Sequence, residues 1–226
     1  MDAAREAARE GATDGAVIIA GEQTAGKGRL ERKWLSPPGN IALSIVLYPD
    51  ITSLPYLIMI ASLAAVQSIE AVAGTKAQIK WPNDIMIGGK KVGGILIENE
   101  VKGDKVAYSI IGIGINVDLN VADYPEMSAN STSLKSESVP GLRIKIIRLL
   151  LNEFERLYLK LPDRKAIYET WRNRLVTLGK KVRATSGREI IEGTADSVDV
   201  NGALVIRQSD GRLVKVVAGD VTLREK

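Results

Sequence analysis

Two periodicities divide the chain. Asp2 to Glu10 is an Ala/Arg/Glu stretch that stops at Gly11, which predicts a short helix. Segments 16–20 (AVIIA) and 41–48 (IALSIVLY) predict strands on either side of a polar, basic loop. Leu54–Ala73 repeats apolar residues at helical spacing, and Gly74 ends it. After it come a strand at Gln78–Lys80, a tight corner at Trp81–Asp84 and a strand at Ile85–Ile87. The Gly88-Gly89 turn then leads into a strand from Val92 to Glu98. A Lys102-Gly103-Asp104 turn precedes another strand running through Val117, and the Ser-rich segment from Asp118 to Gly141 reads as loop.

Ile144–Leu161 predicts an amphipathic helix with Ile147, Leu150, Phe154, Leu157, Tyr158 and Leu161 on one stripe. Pro162 interrupts it, and a second helix is expected over Arg164–Val176. From Gly179 the period shortens to alternating strands with glycine turns at Ser186-Gly187, Asn201-Gly202 and Asp210-Gly211. The expectation is an α+β fold: a mixed sheet with packed helices over residues 1–177, and a small all-β, barrel-like domain over 178–226.

Composition narrows the chemistry. The chain has no cysteine and no histidine, which removes disulfides, thiolate nucleophiles, imidazole bases and nearly every catalytic zinc arrangement. Any catalysis falls to carboxylates, Lys, Arg, backbone amides and a borrowed Mg²⁺. A net charge of +4 suits an anionic substrate or an acidic protein partner and falls short of a nucleic-acid signature. No signal-peptide pattern opens the chain, and the longest apolar run carries Gln67 and Glu70, so it reads as a buried helix. A cytoplasmic protein is expected.

Four segments carry candidate chemistry. Gly21 to Trp34 (GEQTAGKGRLERKW) follows a strand and packs three glycines and four cations into fourteen residues. It reads either as a cradle for phosphate or carboxylate or as a solvated basic loop. Two features count against a P-loop: Gly28 replaces the Mg²⁺-binding hydroxyl, and Pro37-Pro38-Gly39 replaces the following helix. Lys80-Trp81-Pro82-Asn83-Asp84 crowds a cation, an amide and a carboxylate at a proline corner, or is a polar turn anchored by Trp81. Lys91 to Glu98 (KVGGILIE) and Gly112 to Asn116 (GIGIN) place glycines inside apolar strands, where a close approach to the backbone or a bulge is expected.

Taken in order, these segments resemble the catalytic domain of biotin protein ligases. The family's glycine- and arginine-rich loop matches Gly26 to Trp34, KWPND stands unaltered at 80–84, and KxxGILxE and GxGxN match Lys91–Glu98 and Gly112–Asn116. The resemblance spans essentially the whole chain, including a small C-terminal domain from Gly179. It implies that biotin and Mg·ATP form biotinyl-5′-adenylate, which a lysine of a biotin carboxyl carrier protein then captures. Gln23, Gly26, Lys27, Gly28, Arg29, Lys91, Gly94, Gly112 and Gly114 are expected around biotin. Arg29, Arg32, Trp34, Asn40, Asn83, Lys91 and Asn116 are expected around ATP and the adenylate. Lys91 and Arg29 are the expected catalytic cations, with Asp84 steering the acceptor amine; no protein-held metal is expected.

The resemblance also implies a homodimer. It implies no DNA partner, since no N-terminal DNA-binding domain precedes the catalytic region. Glu31 stands where the family usually has glycine, and Lys27 where it often has arginine. Members usually carry a strand ending in Ser-Thr just before the position of Met1, whose hydroxyls help bind biotin's ring urea; either the start codon is misassigned, the favoured expectation, or biotin binding is weakened. A lipoate-protein ligase shares the fold and the adenylate chemistry, and a non-catalytic ligand- or RNA-binding module is the alternative from another class. Ordering all fourteen loop residues at ~1–2 kcal/mol each exceeds what a nanomolar ligand returns. The loop is therefore expected to be partly ordered, with only its 27–33 tip closing.

Overall fold

The computed structural model describes residues 1–134, 141–186, 189–217 and 219–223. A helix α1 (Asp2–Arg9) leads into strands β1 (Val17–Ala20) and β2 (Ile41–Leu47), then helix α2 (Leu54–Ala73). Strands β3 (Gln78–Lys80), β4 (Asp84–Ile87), β5 (Lys90–Lys102) and β6 (Lys105–Ile115) follow, then a short helix α3 (Pro125–Ser128) and helices α4 (Leu142–Tyr158) and α5 (Arg164–Arg172). The chain ends in β7 (Lys181–Ser186), β8 (Glu189–Val198), β9 (Leu204–Arg207), β10 (Leu213–Val216) and β11 (Asp220–Leu223).

Six strands form the main sheet in the order β1-β2-β6-β5-β4-β3, and five form a second sheet in the order β10-β9-β8-β7-β11. The α+β class stands. The pairings between named strands are all antiparallel, and parallel character is confined among the described residues to two isolated bridges, Ile79 with Leu175 and Lys91 with Ser131.

Strand parity sorts the main sheet into two unlike faces. Ile41, Leu43, Ile45 and Leu47 of β2 and Ile111, Ile113 and Ile115 of β6 point to the helical side, where they join the main core. Helix α2 lies at the centre of that core, with Leu57, Ile60, Leu63 and Ile69 fully buried. Pro55 sits at its start, and Gly74 caps it in a left-handed conformation (φ 67°), donating its N–H to the Glu70 carbonyl. Segment 51–73 is long and apolar enough to cross a membrane, yet 72% of its most apolar stretch is buried between the sheet and helices α4 and α5.

On the opposite face, α1 covers one end through Ala4 and Ala8 against Val46, Tyr108 and Ile110. Next to it the face carries Ala42, Ser44, Gly94, Gly112 and Gly114, whose side chains are too small to need a covering helix.

Helix α5 ends at Arg172, short of the expected Val176. Residues 174–177 instead cover the exposed edge of β3: Ile79 N–H donates to the Arg174 carbonyl and Val176 N–H to the Ile79 carbonyl, each at 2.9 Å. The buried Thr177 hydroxyl accepts from Trp81 N–H at 2.8 Å, and the Trp81 indole N–H donates to the Gly202 carbonyl at 2.8 Å. The second sheet is thereby tied to the corner that closes the first. The Gly187 side of the predicted Ser186-Gly187 turn and residues 135–140 of the expected loop lie outside the described residues.

Truncating the central helix tests this arrangement. Leu63→Ala removes a fully buried side chain and is expected to lower the unfolding free energy by about 2–5 kcal/mol. Urea denaturation would show it as a lower midpoint at an unchanged slope.

Candidate active site

A cavity of about 230 Å³ opens on the glycine-bearing face of the main sheet. Its floor follows from register. Cross-strand partners share a face, and Ala42, Gly114, Gly94, Asp84 and Lys80 form one continuous row across β2, β6, β5, β4 and β3. The next row on the same face holds Ser44, Gly112 and Leu96. The floor is therefore bare backbone in the middle and charged at the β3 end. A register shift between Ile85 and Met86 sets Lys91 opposite Met86, so the lysine also joins this face. The loop at 130–132 fixes it there: Lys91 N–H donates to the Asn130 carbonyl at 2.9 Å, and the Lys91 carbonyl accepts from Thr132 N–H at 2.8 Å.

The basic loop covers the floor as a narrow flap. Bridges pair Gln23 with Ser36 and Lys27 with Lys33; Trp34 N–H donates to the Gly26 carbonyl at 2.9 Å and Gly28 N–H to the Arg32 carbonyl at 2.7 Å. Leu30 turns the tip at φ 52°, with 66% of its surface exposed. Trp34 lays its indole on the glycines. A Cβ on Gly114 would lie 2.6–2.7 Å from three indole atoms, and one on Gly112 would lie 2.7 Å from the Met1 sulfur. The Trp34 indole N–H is buried with no acceptor among the described residues. Lys91 Nζ stands 5.5 Å from the Trp34 ring centroid.

The charges around the cavity are held in small groups. Lys91 Nζ pairs with Asp84 at 2.5 Å. Arg29 donates to Asn83 Oδ1 at 3.2 Å and to the Gly219 carbonyl at 3.1 Å, while Asn83 Nδ2 donates to the Ile95 carbonyl at 2.7 Å. One guanidinium thus joins the flap, the proline corner and the second sheet. Lys27 pairs with Asp2 at 3.1 Å, and Asp2 with Arg5 at 2.8 Å, while Arg5 also pairs with Glu98. The Arg5 guanidinium, and after it the Lys27 ammonium, hold Asp2 below the usual aspartate value of 3.8. A depressed carboxyl stabilises the fold above its unfolded value and loses that contribution as pH falls through its folded one, so this tether is intact at neutral pH.

Most of the sequence-predicted residues meet here. Gln23, Lys27, Gly28, Arg29, Arg32 and Trp34 line the cavity from the flap, and Asn83, Asp84, Lys91, Gly94, Gly112 and Gly114 line it from the sheet. Three do not. Gly26 sits at the waist of the flap, where a Cβ would collide with the Trp34 carbonyl. Asn40 is buried and spends its side chain on the chain itself, donating to the Pro37 carbonyl and accepting from the N–H groups of Val117 and Asp118. Asn116 is also buried; its amide donates to the Thr132 carbonyl, so it braces the segment that holds Lys91.

Other residues join the cavity unforeseen. Ser44 follows from the parity of β2. Lys80 shares its motif with Asn83 and Asp84. Val221 and Thr222 come from the second sheet and have no local signature.

Residues 6–116 match the biotin/lipoate A/B protein ligase family, and residues 177–224 match the biotin protein ligase C-terminal domain. The chain is 38% identical over 227 residues to the bifunctional ligase/repressor BirA of Bacillus spizizenii, covering 97% of this chain and 70% of that protein. It is 32% identical to the biotin–[acetyl-CoA-carboxylase] ligase of Paracoccus denitrificans, covering 90% and 89%. The Aquifex aeolicus biotin protein ligase solved with biotin and ATP superposes with a TM-score of 0.83 at 26% identity, covering 98% of this chain and 94% of that one. The repressor role of the Bacillus relative argues against the expectation of no DNA partner, and that expectation is withdrawn.

The indole seat is open to direct test. Gly114→Ala is expected to push Trp34 off the floor and red-shift tryptophan emission, because Trp81 and Trp171 are 2% and 1% exposed and stay buried. An unchanged emission maximum would show that Trp34 does not rest on Gly114.

Proposed function

Since this chain belongs to the biotin/lipoate A/B protein ligase family, as one of its biotin protein ligases, we propose that the glycine-floored cavity and its flap house both half-reactions. The enzyme attaches biotin to protein in an ATP-dependent reaction through biotinyl-5′-AMP. The observation that carries the site assignment is the convergence of Lys91, Asp84 and Arg29 at the charged end of a bare backbone trough.

Biotin's fused ring lies over Gly112 and Gly114, beside Gln23 and the flap segment 26–28, with its carboxylate at Lys91. An ammonium has three donors, so Lys91 can keep Asp84 and still take that carboxylate. Attack of one anion on another requires positive charge at both reactants. Lys91 supplies it at the carboxylate, and Arg29 and Arg32 at the phosphate of the nucleotide. Asn83, already oriented by the Ile95 carbonyl, is placed to bond the nucleotide.

In the second half-reaction Asp84 accepts a hydrogen bond from the incoming amine and steers it to the mixed anhydride. Trp34 and the flap keep that anhydride from water. Asn40 and Asn116 act through backbone positioning. In this reading residues 1–177 carry the chemistry and 178–226 close its nucleotide end, as the Arg29–Gly219 contact and the lining by Val221 and Thr222 support.

Mg²⁺ enters with the nucleotide and neutralises phosphate charge. Its ligands would be chiefly phosphate oxygens, a mode ordinary for this ion. A cavity of about 230 Å³ is below the ~300–1,000 Å³ usual for ligand sites, so the flap must swing outward to admit biotin and ATP together. The acceptor is a biotin carboxyl carrier protein and the working unit a cytoplasmic homodimer, readings that the family resemblance supports and light scattering tests for the dimer.

Incubating the protein with labelled biotin or lipoate and ATP decides the substrate: biotinyl-adenylate is expected, and a lipoyl-adenylate instead would overturn the reading. Arg29→Ala removes a charge-assisted contact worth roughly 1.5–3 kcal/mol. Adenylate dissociation, followed by stopped-flow fluorescence, should accelerate by about tenfold to hundredfold; an unchanged rate would remove Arg29 from the phosphate.

A further inference from the structure

Leu30, at the tip of the flap, is the only non-glycine residue at positive φ among the described residues. Gly28 and Arg32 on either side of the tip are both extended, and the chain reverses between them. Gly28 N–H donates to the Arg32 carbonyl at 2.7 Å and Arg32 N–H to the Arg29 carbonyl at 3.2 Å, with Leu30 at φ 52°, ψ 44°. In that left-handed region a leucine Cβ crowds the following carbonyl oxygen, whereas glycine enters it freely and asparagine tolerates it. The fold gives the leucine side chain nothing in exchange. It is 66% exposed and does not line the cavity, although Arg29 and Arg32 do.

Strain of this kind persists only where the surrounding structure over-determines it, and it collects at ligand clamps and switches. At the flap tip it is held by the two backbone hydrogen bonds and by Arg29, which donates to Asn83 and to the Gly219 carbonyl. Once those contacts yield, Leu30 is free to return to an extended or right-handed backbone, so the strain favours the opened tip over the closed one. The flap must open to admit both substrates, as argued above, and Leu30 lies between the two cations placed at the nucleotide phosphate. We propose that Leu30 is a built-in release spring for the flap: its left-handed turn raises the population of the opened tip and so sets how fast the adenylate leaves the site. A residue at ease in the left-handed region would hold the flap shut. Leucine keeps it ready to open without removing any contact to the ligand.

Two variants of the full chain separate strain from packing. Leu30→Asn tolerates the left-handed angle, whereas Leu30→Ile keeps size and polarity but puts a β-branched side chain where it fits worst. Hydrogen exchange at the Gly28 and Trp34 amides, both bonded within the flap, reads the opening in the unliganded protein. Protection should rise by about threefold to tenfold in Leu30→Asn and fall by a similar factor in Leu30→Ile. Amides of α2 should exchange as before, which confines the effect to the flap. Dissociation of biotinyl-5′-adenylate should slow in Leu30→Asn and quicken in Leu30→Ile. That second measurement rests on the ligase reading. If the unmodified protein forms no biotinyl-adenylate from biotin and ATP, the ligase reading fails, while exchange still decides the role of Leu30. Unchanged flap exchange in both variants, or an equal change in α2, would overturn the proposal. So would a looser flap in Leu30→Asn, since losing an apolar contact loosens the tip and relieving strain does not.

Discussion

Everything at this site depends on one steric fact: the middle of two adjacent rows of the main sheet carries almost no side chains on one face. Gly94, Gly112 and Gly114, with Ala42 and Ser44, leave backbone exposed where a sheet would ordinarily present a second apolar layer. The same strands are unusually apolar on their other face, where Ile41, Leu43, Ile113 and Ile115 meet α2. One face supplies the stability, and the other is free to be hollow. Helix α1 covers only the Val46–Ile110 end, so the hollow is bounded by secondary structure on one side and by the flap on the other. A side chain on any of the three glycines would meet Trp34, Met1 or Lys91 first, which ties the floor to the flap that closes on it.

Charge is the second constraint, and it follows from the absence of histidine and cysteine. With no side chain that titrates near neutrality by its ordinary value, the site has to work by placing permanent charges. The cations are stored in exchangeable contacts: Lys91 on Asp84, Arg29 on an amide and a carbonyl oxygen, Lys27 on an exposed aspartate. Such contacts are weak enough at the surface to yield to a phosphate or carboxylate, yet they keep the side chains pointed at the cavity beforehand. The Arg29–Gly219 contact adds a mechanical consequence, since moving the flap also releases it from the second sheet.

The elements were largely legible in the chain because they obey local rules. The run from Leu54 to Gly74 carries its own cap and periodicity, and the glycine turns mark the strands on either side. What was not legible depends on register and on distant partners. Lys91 reaches the site face only because the pairing slips between Ile85 and Met86. Asn40 and Asn116 look like ligands in a motif, but tertiary packing gives Asn40 wholly to backbone groups and the Asn116 amide N–H to the Thr132 carbonyl, leaving Asn116 Oδ1 buried without a partner among the described residues. The end of α5 is set by the open edge of β3, for which residues 174–177 compete successfully against helix propensity. Val221 and Thr222 lie more than a hundred residues from the motifs they join, so no local pattern announces them.

The flap brings these constraints together. Ordering fourteen free residues would cost roughly 14–28 kcal/mol, against about 12 kcal/mol for a nanomolar ligand. A loop ordered only by its ligand is therefore not affordable. The hydrogen bonds between Gln23 and Ser36, Gly26 and Trp34, and Gly28 and Arg32 show the loop already folded on itself as a ribbon, so its ordering is part of the folding of the chain and does not fall on the ligand. At its base Gly21 and the Ser36–Pro37 junction join this preformed ribbon to β1 and β2. The ligand has merely to outcompete a handful of surface contacts and the indole's seat on Gly114, a demand within reach of a small anion held by two or three cations.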